Sequence, residues 1–126
     1  MSKVINMDKA PKAVGPYSQA IQADSMLITS GQLPINPETA AIDSDDIKWQ
    51  TRQSLENIKA ILESAGESLK DVLKTTVFLS DIHDFAAMNE VYATYFAEPY
   101  PARSCFQVAA LPMGAKVEIE VICKYN

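Results

Sequence analysis

Apolar and polar positions change their period several times along the chain, and each change marks an element. Val4 lies in a short apolar run that predicts a strand, followed by the turn-rich Pro11-Lys12-Ala13-Val14-Gly15-Pro16. Residues 19–23 and 26–30 predict two short strands joined by Asp24-Ser25 as a hairpin. After a loop over 31–37, Ser44-Asp45-Asp46 supplies side-chain oxygens suited to capping a helix. Ile47, Leu55, Ile58, Leu62 and Ala65 recur at three- or four-residue multiples, with Thr51 filling one step, which predicts a helix over 47–65. Gly66 is its expected stop. Trp49 lies about 200° round the helical wheel from Ile47. Off the stripe, it suits packing on a neighbouring loop or subunit better than stacking on a ligand.

Residues 72–79 alternate as a strand, with Leu73, Val77 and Leu79 on one face and Lys74 and Thr76 on the other. A second helix is predicted from Asp81 through Phe96, burying Phe85, Met88, Tyr92 and Phe96 and ended by Glu98-Pro99-Tyr100-Pro101. Its outer face is diluted by Ala86, Ala87 and Ala93, which suggests cover on more than one side. Strands over 103–110 and 116–124, with a turn at 111–115, complete a β-β-β-α-β-α-β-β order. The expected architecture is α+β, one domain over 1–126, with two helices on one face of a mixed sheet. The bare face calls for a cover, most simply a second copy of the chain.

Composition narrows the chemistry. At 126 residues the chain has room for one domain and one core. Eleven basic against sixteen acidic residues leave a net charge of −5, which argues against a phosphate-backbone partner. No apolar run approaches the ~20 residues that span a bilayer. The first residues lack the apolar stretch of a secretory signal, so a cytoplasmic protein is expected. In that compartment Cys105 and Cys123 are expected as free thiols. With His83 as the one histidine, a two-histidine metal site within a chain is excluded. The expected chemistry uses neither metal nor histidine.

The last two strands carry the unusual residues. Strand alternation puts Arg103, Cys105, Gln107 and Ala109 on one face, leaving Ser104, Phe106, Val108 and Ala110 as the expected core face. On the final strand Val117, Ile119, Val121 and Cys123 read as core, while Glu118 and Glu120 project the other way, roughly 6.6 Å apart. An arginine and two glutamates on central-looking apolar strands are costly to bury unless paired or bound to a ligand. One reading is an Arg–Glu salt bridge, buried or bridging subunits. The other is an anion site in which the Arg fork takes a carboxylate and a glutamate deprotonates a water.

Pro101-Ala102-Arg103-Ser104-Cys105, Val108-Ala109-Ala110-Leu111-Pro112 and Val117-Glu118-Ile119-Glu120 together resemble the signature of the Rid (YjgF) family of reactive-intermediate deaminases. Gly15-Pro16-Tyr17-Ser18-Gln19-Ala20, Thr29-Ser30-Gly31-Gln32 and Thr51-Arg52-Gln53-Ser54-Leu55-Glu56-Asn57 match further family motifs in order and spacing, so the resemblance spans nearly the whole chain. One departure is the loop Glu38-Thr39-Ala40-Ala41, where many relatives carry glycine; only a surface turn should change.

The resemblance implies a chorismate-mutase-like fold with a six-stranded sheet, assembled as a homotrimer with sites between subunits. It implies hydrolysis of 2-aminoacrylate, 2-aminocrotonate and their 2-imino tautomers, released by pyridoxal-phosphate enzymes, to 2-keto acids and ammonia without cofactor or metal. Carried over by position, Arg103 clamps the substrate carboxylate and Glu118 positions the attacking water and handles its proton. Backbone groups of Gly31 and Cys105 hold the substrate, Tyr17 and Asn89 form pocket wall, and Ser30 lies beside it. Simpler roles are loop anchoring for Tyr17 and Ser30, and subunit bridging for Asn89. Two other functions stay in view: a non-catalytic module that senses keto acids, and the ribonuclease or translation-inhibitor activity attached to some relatives.

Overall fold

The computed structural model describes residues 2–126. Eight principal elements follow in order: β1 (Lys3–Ile5), β2 (Ala20–Ala23), β3 (Met26–Thr29), α1 (Ile47–Ser64), β4 (Val72–Leu79), α2 (Phe85–Tyr95), β5 (Ala102–Gln107) and β6 (Val117–Lys124). The strands form one mixed sheet in the order β1-β2-β3-β6-β4-β5. All neighbours are antiparallel except β4 and β5, which run parallel because α2 carries the chain back between them.

Both helices lie on one sheet face. Leu55, Ile58, Ile61 and Leu62 of α1, with Met88 and Tyr92 of α2, share a buried cluster with Val77, Leu79, Val117, Ile119 and Val121 of the sheet. Asp46 caps α1 by accepting from the Trp49 N–H, and Gly66 stops it at φ +83°, a left-handed conformation that costs glycine nothing. Trp49 is half-buried. The same helix has a buried polar stripe that clasps loops. Gln50 accepts from the Lys116 N–H and donates to the Ser44 carbonyl, while Asn57 donates to the carbonyls of Leu33 and Ile35 at 3.1 and 3.0 Å.

Expectations for β4, the second helix and β5 need correction. A bulge between Val72 and Lys74 slips the alternation of β4, so Leu73 is 53% exposed while Thr75 joins Val77 and Leu79 inside. The second helix is preceded by a separate 3₁₀ turn over Ile82–Asp84, and Phe85, at its first position, remains exposed beside Arg103. β5 ends at Gln107 and is an edge strand, not a central one. Its even-numbered face is open: Ser104 and Ala110 are exposed, Val108 is half-buried, and Phe106 is 46% exposed, packed edge-on against Phe78 at 5.3 Å. The expected departure at the surface turn takes a definite form, with Ala40 in the left-handed region at φ 58°.

Candidate functional site

Cross-strand register assigns each unusual residue to a face. Thr75 of β4 stands opposite both Arg103 of β5 and Val121 of β6, and Val77 stands opposite Cys105 and Ile119. Residues in one such row point the same way. Arg103 and Cys105 therefore face the helices with the core positions of β6. Phe78 stands opposite both Phe106 and Glu118, and Thr76 opposite Ser104 and Glu120, so the two glutamates face the open side. Within one chain, Arg103 and Glu118 occupy opposite faces of the sheet.

Each opens onto its own cavity. Arg103, Asn89, Tyr92 and Tyr100 line one of about 430 Å³. There the guanidinium donates from Nη1 to Asn89 Oδ1 at 2.7 Å and stacks over the Tyr92 ring at 4.7 Å. Tyr92 is fixed in turn by a 2.8 Å hydroxyl–hydroxyl bond to buried Thr75, and burial raises its pKa. Among the described residues no carboxylate pairs with Arg103, so the salt-bridge reading does not hold within a chain. Cys105, one step along the same face, is half-buried; burial raises its thiol pKa, opposed by the nearby guanidinium charge.

The second cavity, about 570 Å³, is lined by Tyr17, Ser30, Gly31, Leu33, Met113 and Glu118, among others. A two-way backbone bridge between Gln32 and Ile119 brings the segment after β3 against β6. That bridge sets Gly31 beside Glu118 so closely that a Cβ at position 31 would lie 2.7 Å from the Glu118 Oε2. Half-burial, and secondarily the like charge of Glu120, raises the Glu118 pKa. Ser30 donates its hydroxyl to the Ser18 carbonyl, and Tyr17, 51% exposed, accepts the Val14 N–H on its hydroxyl at 3.3 Å. Both hydroxyls thus anchor loops while their residues line the cavity.

The sequence-derived site is accordingly divided: Tyr17, Ser30, Gly31 and Glu118 meet at one cavity, and Asn89 and Arg103 at the other. Gln19 is a contributor whose role the motif did not reveal. Its buried amide accepts from the Met7 N–H and donates to the carbonyls of Met7, Ala10 and Pro11, holding the segment that walls the Glu118 cavity. A glutamine at the entry to a short apolar strand, just after the turn-rich segment, is the signal the sequence offers. Among the described residues there is no cluster of three metal-ligating side chains and no helix long and apolar enough to cross a membrane.

Residues 7–125 match the family model described as endoribonuclease L-PSP. A RutC family protein of Pyrococcus horikoshii is 58% identical over 122 residues, covering 97% of each chain. The 2-iminobutanoate/2-iminopropanoate deaminase of Salmonella typhimurium is 51% identical over 125 residues, also covering 97% of each. Among solved structures, that of Escherichia coli TdcF with bound serine superposes with a TM-score of 0.93 at 49% identity, covering 98% of this chain and 99% of the other. With these relatives aligned from end to end and the sheet and helices superposing, the chain belongs to the Rid/YjgF family, whose sequence model carries the endoribonuclease L-PSP description.

Proposed function

We propose that this chain hydrolyses 2-imino and 2-enamino acids to 2-keto acids and ammonia, at sites completed between subunits of a homotrimer. One observation carries the reading: Arg103 is a half-buried guanidinium with an amide partner and no protein counter-ion among the described residues. Such a group is stabilised by an anionic guest, and its planar fork suits a carboxylate. The relatives named as 2-iminobutanoate/2-iminopropanoate deaminases supply the substrate class.

Since Arg103 and Glu118 face opposite ways in one chain, a shared substrate takes the arginine from one subunit and the glutamate from the next. The open sheet face, with Ile28 and Phe106 exposed, is the surface on which copies pack. Arg103 holds the substrate carboxylate, with Asn89 fixing the guanidinium. Glu118, ionised, accepts a proton from a water as its oxygen bonds to C2 of the protonated imine, giving a carbinolamine. Glu118 passes that proton to the amine nitrogen and takes up the carbinolamine hydroxyl proton as the C–N bond breaks, so ammonia leaves and the 2-keto acid remains. Orienting water against an already electrophilic carbon asks little more than position and a modest base.

A second reading, a ligand-binding module without turnover, draws on the serine held by the E. coli relative. The two separate in one experiment: 2-aminoacrylate is generated with a dehydratase, and keto-acid formation is followed with and without this protein. Faster hydrolysis by the parent and not by Arg103→Ala supports the deaminase. Ligand-dependent melting without acceleration supports the binding module instead.

A further inference from the structure

A substrate held by its carboxylate and attacked at C2 has one variable part left, the side chain on C3, and the Glu118 cavity has apolar lining residues to receive it. That lining includes Leu33, Ile35, Pro112 and Met113. Two features set Met113 apart from Leu33 and Ile35, which are half-buried. It is 58% exposed, an unusual position for a long apolar side chain in a turn between two strands. Its backbone is also left-handed, φ 60° and ψ 21°, followed immediately by Gly114 at φ 65°. A non-glycine residue in that region is uncommon and persists where the surroundings over-determine it, often at a functional site.

The two consecutive left-handed residues tighten the turn after Pro112, and Met113 lines the cavity that Glu118 also lines. A methionine there is a long, unbranched and adaptable wall.

We propose that Met113 sets the size of the apolar side chain accepted by the site, acting as its specificity-determining residue. This rests on the deaminase reading for the orientation of the substrate. It adds that the substrate class is apolar 2-imino acids whose upper size is limited by one side chain of the turn before β6.

The test measures binding of pyruvate, 2-oxobutanoate and 4-methyl-2-oxopentanoate to the purified protein by calorimetry, for the parent, Met113→Ala and Met113→Phe. As a few methylenes in an apolar pocket discriminate by about tenfold or more, Met113→Ala shifts the affinity ratio about tenfold toward the branched acid, and Met113→Phe shifts it toward pyruvate. Ratios within about twofold of the parent in both variants, with pyruvate still bound, overturn the role of Met113 alone. Failure of the parent to bind any of the three acids overturns the reading of the site, and the inference with it.

Discussion

The Glu118 carboxylate rests directly on Gly31, whose missing side chain is the space it occupies: a Cβ there would stand 2.7 Å from Oε2 and 2.8 Å from the carboxyl carbon. Gly31→Ala must therefore push the carboxylate away from its present position, since real Cβ contacts are never this short. The displaced group is half-exposed and able to move, so the fold survives and the chemistry suffers. A displacement of about 1 Å at a reacting group costs on the order of 10²-fold in rate. We expect Gly31→Ala to melt close to the parent while losing about that much turnover. Parent-like rates would show that Glu118 does not have to stand where it does.

The pH profile tests the same carboxylate. Glu118 has its pKa raised first by burial and then by the charge of Glu120 on the same face of β6. As the proposed base it works ionised, so turnover is expected to fall as pH drops through this raised pKa. Glu120→Gln removes the like charge and moves the acid limb to lower pH, with the plateau kept. An unmoved limb would place the rate-controlling ionisation elsewhere.

For stability the sign is the reverse of a salt-bridged carboxylate: the native state holds its proton more tightly than the unfolded chain, so stability declines as pH rises from the unfolded to the native pKa. Glu118→Gln abolishes this decline, and denaturant melts at mildly acid and at neutral pH should show the variant gaining on the parent at the higher value.

Ala40 offers a prediction remote from the site. It is exposed in a turn closed by the Asn36–Ala41 bridge and holds φ 58° with a Cβ that this region disfavours. Ala40→Gly should stabilise the native state by about 1 kcal/mol, the cost of the left-handed conformation for an alanine offset by the greater freedom of an unfolded glycine. Thermal melting checks the sign, and activity should be unaffected.

Much of this architecture could be read from periodicity. The buried positions of β6 alternate without interruption, and α1 has both an Asp cap and a left-handed Gly66 stop. Alternation alone puts Leu73 in the core, because a bulge changes the face of a residue without changing the sequence period around it. Alternation likewise puts Phe106 in the core, since it distinguishes two faces without saying which the helices cover, or that β5 is an edge. The site suffered from the same blindness at longer range. The alternation within β5 and within β6 was correct, yet their relative phase is set by β4 between them, through Thr75 opposite Arg103 and Phe78 opposite Glu118. Nothing local to either strand encodes that register. Motif resemblance groups these residues as one site, while the sheet sets Arg103 and Glu118 on opposite faces of one chain.

That division yields the sharpest prediction. If the site takes Arg103 from one subunit and Glu118 from another, Arg103→Ala and Glu118→Gln are each inactive as pure proteins, and each still carries the half the other lacks. Co-refolding the two in equal amounts lets subunits assort at random. About a quarter of the interfaces then pair an intact arginine with an intact glutamate, and about a quarter of parental activity returns. Two functional groups belonging to one chain's own site would give no recovery, because every site would retain one lesion. Mixing without refolding is the control: activity should appear only as fast as subunits exchange. The double variant Arg103→Ala/Glu118→Gln mixed with parent supplies the calibration, since there too about a quarter of sites are intact after random assortment. Equal recovery in the two mixtures is the expected result, and recovery confined to the second would refute a site shared between subunits.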